Sequence, residues 1–124
     1  MVINIRKVKD KYGYAIVADC SEKGCSLCID NVNRDDIVIL KGEKITRSRK
    51  VCDCLIFVKR KANLLIIIVE LKRKSIDVSV IKKKFENTID LLKDIIIGFE
   101  HKTTPKNSPS TSLRKDARTR VFYA

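Results

Sequence analysis

The chain has 124 residues, with 27 lysines and arginines against 15 aspartates and glutamates, for a net charge of +12. That length allows one small domain with a modest core. Charge breaks the N-terminus from Arg6 onward, so no secretory signal fits, and the longest apolar run, Leu64–Val69, is far too short to cross a bilayer. A cytoplasmic protein away from membranes is expected, and the Ile- and Lys-rich, charge-dense composition is in the style of hyperthermophile proteins.

In chain order, the alternation of Val2, Ile3, Ile5 and Val8 suggests an initial strand or extended arm, and Gly13–Ala18 a better strand. Ser21–Gly24 reads as a turn, followed by a short strand from Cys25 to Ile29 and a polar turn from Asp30 to Asp36. Ile37–Leu40 is a strand ended by Gly42. Two runs then stand out, Val51–Val58 and Leu64–Lys72, both apolar on both alternating faces, as strands covered on two sides are. The polar link Lys59–Asn63 makes them an antiparallel hairpin. A helix is expected from about Asp77 to Ile97, with Ile81, Phe85, Thr88, Leu92 and Ile95 along one stripe. One domain is expected over residues 1–100. The basic, polar segment 101–124 has the composition of a loop or flexible tail, within which Val121–Tyr123 could return as a strand.

Charge does not belong in the two core runs, yet Asp53 lies in the first, and Glu70 and Lys72 close the second. An ionised carboxylate loses hydration in a low-dielectric interior and needs a partner there. Glu70 and Lys72, two apart, point the same way, and the hairpin brings Asp53 beside Glu70. A bound divalent metal with a nearby cation accounts for such a cluster. A buried salt bridge, with Lys72 neutralising the acids, is the structural alternative.

Cys52-Asp53 and Glu70-Leu71-Lys72, on a hairpin ahead of a helix, resemble the signature of the PD-(D/E)XK nuclease superfamily over roughly residues 36 to 97. The resemblance implies an α/β fold: a mixed central sheet with a flanking helix, in a restriction-endonuclease-like core similar to that of the small Holliday-junction resolvases. It implies that Asp53 and Glu70 ligate Mg²⁺ or Mn²⁺, helped by the Leu71 carbonyl, and that Lys72 positions or deprotonates the attacking water. Cys52 stands where the family has Pro. The upstream acid of many members would be Glu22 or Glu43. The Gln common on the following helix is replaced by Lys83 or Lys84. Helical phase puts Lys84 at the edge of the buried stripe, near the acids and with a catalytic role by resemblance, and leaves Lys83 mainly solvated.

The charge excess favours a polyanion partner. Arg47, Arg49, Lys50, Arg73, Lys74 and Lys83 are the expected nucleic-acid contacts, and scarce aromatics favour duplex or branched DNA held by its backbone over base stacking. A homodimer would present two sites to two strands. Of five cysteines, Cys25 and Cys28 have metal-ligand spacing. Zinc with Cys52 and Cys54, a disulfide between the N-terminal group and the Cys52–Cys54 segment, and plain buried thiols are all open, with Cys52 and Cys54 expected to share a face. The only histidine, His101, lies on the polar segment. No Gly-rich phosphate loop and no Ser/His/Asp grouping is present. These features together point to a Mg²⁺-dependent DNA endonuclease. The rivals are a catalytically silent DNA-binding module of the same fold and a small zinc-containing interaction domain.

Overall fold

The computed structural model describes residues 3–22, 24–27, 29–30, 32–72, 77–101 and 117–123, with side chains up to Phe99. The N-terminal strand expected from alternation is instead a helix, α1 (Ile5–Lys11). The Asn4 side chain accepts from the Lys7 N–H at 2.9 Å and caps its start. Its Ile5 and Val8, at helical spacing, are buried, as is Tyr12 at its C-cap. The strand expected over Gly13–Ala18 is likewise absent. Gly13–Ala15 is a 3-10 turn, and Ile16 makes only an isolated bridge to Leu40. The Val17 N–H donates to the Ile39 carbonyl at 3.0 Å, so this segment lies along an otherwise free sheet edge.

Strands β1 (Cys20–Glu22) and β2 (Cys25–Leu27) form a small antiparallel hairpin around Gly24, whose φ of 83° suits a residue without a side chain. A 3-10 turn at Arg34–Asp36 leads into β3 (Ile37–Lys41), and the short helix α2 (Gly42–Ile45) follows at once. The core hairpin joins β4 (Cys54–Arg60) to β5 (Asn63–Glu70). Its turn is tighter than the polar link suggested. Lys59 and Arg60 pair with Leu64 and Asn63, leaving Lys61 and Ala62 at the tip, with Lys61 at φ 55°. Helix α3 (Val78–His101) follows, and residues 117–123 return as β6 (Ala117–Tyr123), parallel to β5.

The result is a mixed four-stranded sheet, β3-β4-β5-β6, antiparallel except for its last pair. Both faces are covered, as the doubly apolar strands require. On one, Leu55, Phe57, Ile66 and Ile68 pack against α1 and the expected α3 stripe, all of which is buried. Tyr12 meets Phe99 edge-on at 6.2 Å and ties the two helices together. On the other face, Ile56, Val58 and Val69 pack against the β1–β2 hairpin and the segment after it. A disulfide between Cys20 and Cys54 fastens that hairpin to the sheet. Plain thiols are therefore not the state of these two cysteines. Cys25 and Cys52 are free, and Cys28 lies outside the described residues. Cys52 and Cys54 do not share a face: Cys52 belongs to the helix-side core and Cys54 to the hairpin side. The chain kinks between them, ahead of the ladder. No helix among the described residues is long and apolar enough to cross a membrane.

Candidate functional site

Asp53 does not lie in a strand but in the bend immediately before β4. Its backbone carbonyl accepts from the Gly42 N–H at 2.9 Å, and its carboxylate accepts from the Leu71 N–H at 2.8 Å. One step beyond the last rung of the ladder, Cys54 opposite Val69, stands Glu70. Asp53 and Glu70 thus meet at the same end of the same strand pair, as the hairpin requires. Glu70 extends the face of Leu64, Ile66 and Ile68 and is 1% exposed, beneath the first turns of α3.

Glu70 holds two cations on one oxygen. The Lys84 ammonium donates to Oε2 at 2.8 Å, and the Lys72 ammonium lies 3.3 Å from the same atom. Oε1 is buried and has no hydrogen-bond partner among the described residues. An unmet acceptor on a buried carboxylate is costly and marks a place where a ligand would be gained. Burial also raises the Asp53 carboxyl above its ordinary range, against the Leu71 hydrogen bond and with help from the Glu70 and Glu22 charges. Burial alone would lower the Lys84 ammonium. Its hydrogen bond to Glu70 and the charges of Glu70 and Asp53 outweigh that and leave it raised.

Of the two helical lysines, Lys84 reaches the acids and Lys83 is exposed, as the phase argument expects. Of the two upstream acids, Glu22 lies within the field of Asp53 and pairs with Lys41, whereas Glu43 is exposed on α2. Arg47 and Lys50 are exposed, and Arg49 contacts Asp94 at 3.4 Å. Arg73 and Lys74 lie outside the described residues.

Sequence reasoning placed Thr88 in the apolar stripe and missed its task. Its hydroxyl donates to the Lys84 carbonyl at 2.7 Å and accepts from the Cys52 N–H at 2.9 Å. It bridges the helix turn that carries Lys84 to the residue before Asp53. The signal was a hydroxyl four residues after Lys84 on a buried face. Burial pushes the Cys52 thiol up to about 12, away from the thiolate form. Among the described residues, no three His, Cys, Asp or Glu side chains gather closely enough to hold a metal by themselves. The acid pair would therefore need backbone, water or substrate oxygens to complete a coordination shell. The Cys20–Cys54 disulfide removes Cys54 from the four-cysteine zinc set. No protein-family model, curated protein or solved structure matches the chain.

Proposed function

We propose that the protein is a Mg²⁺- or Mn²⁺-dependent DNA endonuclease with a restriction-endonuclease-like core of the PD-(D/E)XK type. The observation that carries this reading is the buried Oε1 of Glu70, without a partner among the described residues, near the desolvated carboxylate of Asp53. Two hard oxygen donors at one strand end, one of them unsatisfied, fit a hard divalent cation. Asp53, Glu70 and the Leu71 carbonyl would hold it. Such a metal polarises a phosphoryl oxygen and lowers the pKa of bound water.

The protein's own groups have separate work. The Leu71 N–H fixes the Asp53 carboxylate. Lys84 is 20% exposed and bonded to Glu70, so it fixes the position of that acid. Lys72 is 35% exposed, and its contact to Glu70 is the longer one. It is thus the cation that can turn toward a phosphate oxygen or a water. The +12 charge supplies attraction to duplex or branched DNA. A homodimer would let one such site act on each strand.

One observation favours a second reading. Asp53, Glu70, Lys72 and Lys84 sum to zero charge, so the cluster is balanced without a metal. A catalytically silent DNA-binding module would show the same balance. The deciding experiment incubates linear, nicked and branched DNA with the protein in Mg²⁺ and Mn²⁺, beside Asp53→Ala. Cleavage lost in Asp53→Ala with DNA affinity retained supports the nuclease. Absence of Mn²⁺ binding and of cleavage on every DNA form leaves the silent module.

A further inference from the structure

A groove of about 290 Å³ opens beside the acid pair, lined by Lys50, Ser79, Val80, Lys83 and Lys84. One wall is the segment leading into Asp53, the other the first turns of α3. The two are pinned together. The Asn87 amide donates to the Lys50 carbonyl at 2.9 Å, and the Cys52 N–H reaches Thr88. Lys84 also lines the groove, with its ammonium committed to Glu70. Lys50 and Lys83 are exposed, and no ion pair among the described residues engages either. The remaining wall is lysine stem and Val80, an apolar surface with charge at its rim.

We infer that this groove is a phosphate-binding subsite that holds one nucleic-acid strand by the phosphate next to the one at Asp53 and Glu70. Two exposed lysines that line one groove and have no carboxylate partner among the described residues suit a phosphate oxygen, and the apolar wall suits the sugar beside it. At the low end of the ~300–1,000 Å³ of small-ligand pockets, the groove has room for a phosphate–sugar unit and not for a duplex. Lysine ammonium groups, and not the helix start, do the recognising. The Asp77 carboxylate already accepts from the Ser79 N–H, the Ser79 hydroxyl and the Val80 N–H. A groove of this size takes a single strand, such as a flap, a frayed end or an arm at a branch. This inference rests on the nuclease reading for its second phosphate, although the subsite stands without cleavage.

The test uses the full, oxidised chain without divalent metal. Inorganic phosphate, followed by amide NMR, should shift Ser79, Val80 and Lys83 ahead of other residues. A single-stranded oligothymidylate should bind at least tenfold more weakly to Lys50→Ala/Lys83→Ala than to the unmodified protein at low salt. The slope of log K against log salt should also shallow by about 0.7 for the one lost phosphate contact. Lys59→Ala/Lys61→Ala, an equal charge change about 23 Å away at the other end of the hairpin, is the control. A loss confined to the 5′-phosphorylated oligonucleotide assigns the subsite to a terminal phosphate. An equal loss with and without that group assigns it to an internal diester. Both outcomes support the subsite. Groove and control variants that bind alike, or phosphate shifts without any effect on the oligonucleotide, overturn it. Cleavage that fails with Asp53 while the groove proves inert sinks this inference alone. A groove that binds in a protein that never cleaves sinks the nuclease reading alone.

Discussion

Replacing Lys84 by methionine removes the shorter of the two ion pairs on Glu70 and keeps the buried stem. At 2.8 Å and an effective dielectric of ~20, the Lys84–Glu70 attraction is worth ~6 kcal/mol before desolvation. Breaking a buried pair from one side ordinarily costs ~3–5 kcal/mol, because the other charge is stranded. Two features reduce that here: Lys84 is 20% exposed, and Lys72 still reaches Oε2 at 3.3 Å. We therefore predict a loss of ~2–3 kcal/mol at pH 7, measured by urea unfolding. Lys83→Met, on the exposed neighbour, should fall within the ~0.5 kcal/mol typical of surface changes. Adding Glu70→Gln to Lys84→Met should recover part of the loss, since no buried charge then remains. The pH dependence has a defined sign. Lys84 is raised in the folded state, so its contribution is complete below its unfolded pKa and disappears as pH rises through the folded one. Equal losses for Lys83→Met and Lys84→Met would refute the assignment of Lys84 to the buried end of the helix.

The Cys20–Cys54 bond closes a loop of 34 residues, for which chain entropy gives about 4 kcal/mol of stability. Reduction should lower the urea midpoint by a corresponding amount, and a shift below ~1 kcal/mol would mean that the packed hairpin face holds without it. Asp53 titrates above its ordinary range, so its ionisation opposes folding above that pKa, and its contribution to stability grows as pH falls through it. Mn²⁺ at 100 times its Kd should therefore stabilise the protein at neutral pH by ~2.7 kcal/mol. The effect should fade as pH drops through the Asp53 pKa and be absent in Asp53→Asn; a thermal shift that survives that substitution would place the metal elsewhere. A Cβ at Gly42 would overlap the Cys52 carbonyl and crowd Val51. Gly42→Ala should thus cost ~1–3 kcal/mol and weaken Mn²⁺ binding, read by calorimetry; unchanged binding would show that Asp53 does not depend on this contact.

The parts of the fold that were legible in the sequence are those where one physical demand dominates. Cys54–Val58 and Leu64–Val69 are apolar on both faces, which a doubly covered strand satisfies, and the α3 stripe repeats over about four turns. The charges of Glu70 and Lys72 stood out against that background. The N-terminal third offered no such dominance. Ile3 and Ile5 fit alternation while Ile5 and Val8 fit helical spacing, and the choice falls to the Asn4 cap and to burial of Ile5 and Val8. Ile16 and Val17 have strand propensity but meet only the edge of β3. Nor could spacing choose which cysteine Cys54 would bond, because that depends on how the β1–β2 hairpin docks on the far face of the sheet.

The same contacts explain why an acid outside the ladder can still be placed with precision. Four ties on the three successive residues Cys52, Asp53 and Cys54 lead to four different parts of the fold. The Cys52 N–H goes to Thr88 on α3, and the Asp53 carbonyl takes the Gly42 N–H at the start of α2. The Asp53 carboxylate takes the Leu71 N–H just past β5, and the Cys54 sulfur bonds Cys20 on β1. Leu55 then enters the core fully buried. Glu70 needs no such set of ties, since the β5 ladder and the Ile66–Ile68 packing below it fix its backbone. The pair is thus built from one residue held by regular structure and one held by convergent anchors. Preorganisation of this kind matters where two like charges must stay close, because the repulsion between them would otherwise swing the freer one toward water. It follows that losing any single anchor should move Asp53 more than Glu70. Mn²⁺ affinity should then fall in Thr88→Val, which keeps the shape of the stripe but removes the bridge to Cys52. Retained affinity in that variant, at unchanged helix content, would show that the remaining three ties suffice.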